Sequence, residues 1–164
     1  MNQQVASIRL GLYIVLLSLF FGVGLGVVFG VAEDGVQDWI KEGVAQHPTL
    51  HDDKSTAKIW RYAQRAHFHS MGVAAAAAGL LGILALTGMR RKIKTVTSLL
   101  IGLGCLYPMS WFSMFLLAPS MGREAAHHAL ITELFTRVGV GALLLGMVLL
   151  GVHLVTGVLG DTSE

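Results

Sequence analysis

Residues 10–31 read LGLYIVLLSLFFGVGLGVVFGV, 22 positions without one charged side chain. A helix needs roughly 20 mostly apolar residues to cross a hydrocarbon core about 30 Å thick. Three further runs meet the condition: Met71–Met89 and Val96–Ala118, both without Asp, Glu, Lys or Arg, and Val138–Leu159, with His153 its only ionisable group. In lipid every backbone N–H and C=O must find its partner within the segment, so such runs are expected to be helices. The sequence thus predicts an all-α fold, an integral membrane bundle of four transmembrane helices. It forms a single domain over 1–164, with helices near 10–31, 67–89, 96–118 and 124–159 and a polar loop over 32–66.

Composition agrees. Of the 164 residues 54% are hydrophobic and 13% charged, against about 25% charged in a soluble domain. A disordered tail, a disulfide scaffold and an ordinary soluble α/β enzyme are excluded. The first run exceeds the 7–15 apolar residues of a signal peptide. Only Arg9 precedes it as a basic side chain, and Glu33 and Asp34 follow it, so it reads as an uncleaved anchor. Cys105 is the one cysteine, so neither an intrachain disulfide nor a cysteine-built metal site is expected. There is no internal repeat and no Walker, Rossmann, His-Glu-x-x-His or EF-hand pattern.

Lys and Arg in short loops set orientation. Arg90, Arg91, Lys92 and Lys94 crowd the turn between helices 2 and 3, with Arg9 on the same side; Lys41, Lys54, Lys58, Arg61, Arg65 and Arg123 lie opposite. The dense short turn is the better signal. It places both termini in the cytoplasm of a bacterial inner membrane and 32–66 in the periplasm. Within that segment Val36, Trp39, Ile40 and Val44 share one face of a helix opening at Asp34 or Gly35. That spacing predicts a short amphipathic helix on the membrane surface, ended by His47-Pro48. Ser55 or Thr56 opens the next helix, which carries Trp60 and Tyr62 into span 2.

Glycines recur at helical spacing. Gly22, Gly26 and Gly30 stand every four residues on helix 1, and Gly72, Gly79 and Gly82 punctuate an alanine run on helix 2. Small residues in such rows let backbones approach closely, within the bundle or against other chains.

The histidines are the candidate chemistry. His67 and His69 open helix 2; His127 and His128 lie near the start of helix 4, on the same side of an up-down bundle. At about 1.5 Å rise per residue both pairs stand at roughly 26–30 Å above the inner end. The same ruler makes helix 4 protrude past His153 into the cytoplasm and puts Glu133 and Arg137, an i, i+4 pair, inside the lipid boundary. Imidazoles from two helices at one depth are the arrangement that ligates haem iron from both sides. His69 shares a side-chain-poor face with Gly72, Ala76 and Gly79, while His67 points about 200° away. The preferred axial pair is therefore His69 (or His67) with His128 (or His127). Arg65, Arg123 or Arg137 would neutralise propionates, and Glu133 would pair or handle protons. A copper or zinc site from His67, His69, His127 and His128, with His47 or His51, is the alternative. Glu124-x-x-His127 matches half of a di-iron carboxylate site, but the other half is missing. His153 cannot reach the other imidazoles, and His47 and His51 read as solvated loop residues.

The stretch Arg65-Ala-His67-Phe-His69-Ser-Met-Gly72 resembles the R-x-H-x-H-x-x-G opening of a transmembrane helix in bacterial membrane proteins related to haem–copper oxidase subunit I. The likeness covers 8 of 164 residues. It implies that His67 or His69 binds haem. No copper-centre pattern accompanies it, so an oxygen-reducing centre is not implied.

Three functional classes follow. One is a haem b electron-transfer protein or subunit of a respiratory, quinone-linked redox complex. The second is a non-catalytic accessory subunit of a larger membrane oxidoreductase. The third is a periplasm-facing copper or zinc-binding membrane protein. The chain reads more as a redox or accessory subunit than as a stand-alone enzyme. The partners expected are the bilayer, other membrane subunits or a second copy through Gly22, Gly26 and Gly30, and a quinone, with no nucleic acid.

Overall fold

The computed structural model describes residues 3–160. The termini expected in the cytoplasm lie outside the described residues. Six helices follow in order: α1 (Gln3–Gln46), α2 (Ser55–Leu86), α3 (Arg91–Leu103), α4 (Tyr107–Met121), α5 (Arg123–His128) and α6 (Leu130–Thr156). One 3-10 turn, Pro48–Leu50, follows α1, and another, Gly104–Leu106, joins α3 to α4 in a single long span. Four stretches are long and apolar enough to cross a membrane. No strand occurs among the described residues; Met89 and Gly160 form one isolated bridge.

The α3–α4 span is the centre of the bundle. Its α3 half packs on α1 and α6, and its α4 half packs on α2 and α6, so α4 stands between α2 and α6. The inner core joins Ile8, Val15, Ala74, Ala77, Leu81, Leu84, Ile101 and Leu150. The outer core joins Ile40, Ile59, Ala63, Phe115, Ala118 and Ala126. Hydroxyls tie the helices where carbonyls come close. Ser98 donates to the Ile8 carbonyl at 3.0 Å, and Ser113 and Thr132 share a hydrogen bond of 2.9 Å between α4 and α6. Lys94 is buried and donates its Nζ to the Thr87 carbonyl at 2.6 Å, satisfying a carbonyl at the end of α2 that has no partner within the helix.

Beside this apolar core, the packing puts small hydroxyls inside and large apolar side chains outside. Ser7, Ser18, Ser70, Ser98 and Ser110 are buried, while Phe20 (74% exposed), Val31 (80%), Leu130 (83%) and Val155 (86%) face outward.

Three expected boundaries change. Residues 32–66 are not a loop. α1 continues through a bend at Ala32 (φ −135, ψ 28) as far as Gln46, and α2 begins at Ser55. The Val36, Ile40 and Val44 stripe is therefore not free to lie on a membrane surface; it packs with the outer core, and Trp39 meets Phe115 edge-on at 5.2 Å. The chain still turns at Pro48, whose nitrogen has no hydrogen to continue a helix.

The fourth span is also broken. Gly122 adopts φ 83, a conformation that favours glycine, and starts α5; Ala129 (ψ 136) then separates α5 from α6. At its C-terminal end α6 stops at Thr156, short of the expected boundary at 159. Gly157 caps it in the left-handed region (φ 68), and the Arg90 amide donates to the Leu159 carbonyl at 2.9 Å.

Candidate functional site

The rings of α2 leave the helix on two sides, as its 3.6-residue period demands. His67 turns towards α1. Its Nδ1 lies 2.8 Å from the Gly22 carbonyl, and its ring occupies the space above Gly26, where an added Cβ would stand 2.8 Å from its Cε1. Phe29 and Phe68 flank the ring at 6.2 and 5.2 Å. A cleft of about 200 Å³ opens beside it, lined by Gly26, Phe29, Glu33, Trp60, Gln64, His67 and Phe68.

His69 turns towards α4. Its Nδ1 lies 2.9 Å from the Arg65 carbonyl one turn earlier. A carbonyl only accepts, so Nδ1 carries the proton and Nε2 is the basic nitrogen of the neutral ring. The ring contacts Tyr107 at 5.4 Å and Trp111 at 5.7 Å. Trp111 Nε1 donates to the Tyr107 hydroxyl at 3.1 Å, and the Arg65 guanidinium stacks 4.7 Å over the Trp111 ring. Beyond His69 the helix surface is bare: Ala76 is exposed, and Gly72 and Gly79 have open space where a Cβ would stand.

His127 and His128 lie together on α5, their centroids 5.0 Å apart, and both are exposed. With Leu50, Tyr62, Arg123 and Glu124 they line a cavity of about 420 Å³. Both nitrogens of His128 are engaged: Nε2 lies 3.2 Å from Glu124, and Nδ1 lies 3.4 Å from Glu133. Glu133 also pairs with Arg137 at 2.7 Å, on a side of α6 where Arg137 is exposed. Arg123 reaches Asp52 at 3.0 Å and ties the loop to α5. A hydrogen bond from Ser55, with Arg123 and Lys58 nearby, holds the Asp52 carboxyl below its ordinary range.

The structure therefore brings His127 to His128, and Glu133 to His128 and Arg137. It brings neither His67 nor His69 to α5. The expected pairing of His69 (or His67) with His128 (or His127) rests on a continuous fourth helix beside α2; the chain has a break at Ala129, and α4 packs between α2 and α6. No group of three or more His, Cys, Asp or Glu side chains able to hold a metal ion occurs among the described residues. His47 and His51 are not simply solvated. His47 Nδ1 lies 3.0 Å from the Gly43 carbonyl, and His51 Nε2 lies 3.0 Å from the Pro119 carbonyl, pinning the outer turn. His153 is buried on the inner side.

Sequence reasoning passed over Tyr107 and Trp111, which give His69 its surroundings. Their signal was legible: Tyr107, Trp111 and Phe115 recur every four residues on one helix. Comparison with known protein families, curated proteins and solved structures found no match for this chain.

Proposed function

We propose that this chain is a multi-pass protein of the bacterial inner membrane that serves as a haem b-carrying subunit of a quinone-linked respiratory assembly. Lipid as the solvent is supported by the surface, with large apolar side chains outside and serines inside. The Arg90–Lys94 cluster supports a cytoplasmic turn between the second and third spans, which leaves the 47–54 loop in the periplasm.

The observation that carries the redox reading is the state of His69. Its Nδ1 is held by a backbone carbonyl, which leaves Nε2 as the basic nitrogen at the head of a bare Gly72, Ala76 and Gly79 face. A carbonyl that fixes the tautomer and orientation of an imidazole is the usual support of a ligating histidine. His69 would hold the haem iron through Nε2, and Arg65 would offset propionate charge. His128 is engaged by the Glu124 and Glu133 carboxylates instead. Bound haem b would supply a one-electron couple. The Arg65 carbonyl would orient the ligating ring.

A reduced-minus-oxidised spectrum of protein purified with ample haem tests this. The expected result is a haem b α-band that disappears in His69→Ala and persists in His127→Ala. Absence of the band in the wild-type protein rejects the haem.

The accessory-subunit reading is favoured by a different observation. Gly24 and Gly30 on α1, and Gly141 and Gly151 on α6, have nothing within 4 Å of an added Cβ. These faces are free for close approach of another helix. Under this reading Gly30→Leu releases a co-purifying membrane subunit without unfolding the chain, and no pigment is present in either protein.

A further inference from the structure

Two clefts beside the bend of α1 share walls. The larger and more open one, about 280 Å³, is lined by Ala32, Gly35, Val36, Trp39, Phe115 and Leu116. Every one of these is apolar or glycine. The second, about 190 Å³, continues past Trp39 and Leu116 to Glu42, Gln46, His47 and Ser120. The pair forms one slot with an apolar body and a polar mouth. Trp39 (42% exposed) and Leu116 (46% exposed) stand at its open side. The uncharged run of α1 ends at Val31, so in the bilayer placement proposed above the apolar cleft starts at the outer interface and the mouth faces the periplasm beyond it.

The mouth discriminates by charge. Its one formal charge is the Glu42 carboxylate, and no lysine or arginine lines either cleft. A phosphate head would be repelled there and would lack a cation to pair with. His47 donates from Nδ1 to the Gly43 carbonyl, so Nε2 of the neutral ring is an acceptor. Gln46 offers a donor and an acceptor, and Ser120 offers a hydroxyl. This set suits a neutral head with hydrogen-bonding oxygens, above a hydrocarbon tail that leaves sideways between Trp39 and Leu116 into lipid. Pockets for small molecules share this build, mostly apolar walls with a few placed polar groups.

We infer that the slot at the Ala32 bend, with its mouth at Glu42, Gln46 and His47, binds the ring of a prenylquinone or prenylquinol. The inference rests on the bilayer placement and is independent of the haem. Glu42 and His47 accept hydrogen bonds from the hydroxyls of the reduced ring, Gln46 donates to the carbonyls of the oxidised one, and Trp39 lies along the ring and first tail unit. Gly35 keeps the apolar cleft open, since nothing stands within 4 Å of the position of its Cβ.

Titration of the purified protein in dodecyl maltoside micelles with decylubiquinone, followed by tryptophan fluorescence, tests the site. Saturable quenching is expected, and Trp39→Phe should remove most of it. Gly35→Leu fills the cleft without a clash and should weaken the apparent affinity at least tenfold. His47→Ala should weaken it severalfold. Gly82→Leu, at an open position on α2, should leave it unchanged. Leu116→Trp closes the slot from the opposite wall and provides a second test if Gly35→Leu lowers the helical circular dichroism. Quenching that is linear in quinone per micelle, or identical in Gly35→Leu and Gly82→Leu, overturns the site. Displacement of the quinone by an equal mole fraction of phosphatidylglycerol overturns the choice of a neutral head. The titration has the same outcome whether or not a haem band is present, and a membrane-flotation assay checks the bilayer placement separately.

Discussion

Gly102 of α3 and Gly139 of α6 look like the glycines of α2 in sequence and do the opposite. At Gly102 an added Cβ would stand 2.8 Å from Gly11 Cα, and at Gly139 it would fall on the Tyr107 backbone. These residues are where helices touch backbone to backbone. At Gly72, Gly79 and Gly82 an added Cβ would meet nothing within 4 Å. The α1 row divides again: Gly22 is filled by Met71 and Ser70, Gly26 by His67, and Gly30 is open. The row expected to bind another chain through Gly22, Gly26 and Gly30 is thus mostly consumed within this one. A small residue marks a place where close approach is allowed; what approaches is settled by the fold.

The contrast breaks most sharply at Gly139. Gly139→Leu should destabilise the bundle by about 3 kcal/mol, the upper end for overpacking, because backbone atoms of α4 cannot move aside as a side chain does. A thermal melt in detergent reads this, and an unchanged midpoint would mean that α4 and α6 do not cross there.

Gly26→Ala sits between the extremes. The new methyl displaces the His67 ring and its hydrogen bond to Gly22, a loss of about 1–2 kcal/mol. In a Gly26→Ala, His67→Ala double variant the two losses should sum to less than their separate values, since both act through one contact. Strict additivity would separate the two residues.

Gly79→Ala should go the other way. With no neighbour to strike, the methyl raises helix propensity and stabilises by about 0.5–1 kcal/mol. Destabilisation on that substitution, or loss of a co-purifying chain, would show that another surface covers α2.

The smallest effect expected is at the outer turn. The Asp52 carboxyl is held below its ordinary value by the Ser55 hydrogen bond first, then by Arg123 and Lys58. A depressed folded value means that the stabilisation is complete above the normal carboxylate range and is lost as pH falls through the folded value. Wild type and Asp52→Asn should therefore differ slightly in melting midpoint at neutral pH and converge well below pH 3.8. A gap that persists in acid would remove the ion pair as its cause.

Much of the fold was legible because the signals were local. The uncharged runs marked four membrane-length helices, Pro48 marked the turn, Ser55 marked the start of α2, and Glu133 and Arg137 sit at pairing distance on one helix. The candidate site was less legible. The opposite directions of His67 and His69 followed from helical period alone. Their partners did not, because Gly22 lies 45 positions from His67 and Tyr107 lies 38 from His69. The depth estimate for His127 and His128 assumed one continuous helix, and the non-helical ψ at Ala129 is not written in the alanine itself.

By itself the sequence determined the number of long apolar helices and the faces on which the histidines of α2 stand. Each of these follows from the transfer cost of charge into lipid or from the fixed pitch of a helix, and both act over a few turns of chain. The tertiary structure alone decided that the third span lies between α2 and α6, which glycines are filled, and that His69 meets an aromatic pair instead of another imidazole. Those outcomes depend on which surfaces fit together, a property of distant residues jointly, and no local pattern encodes it.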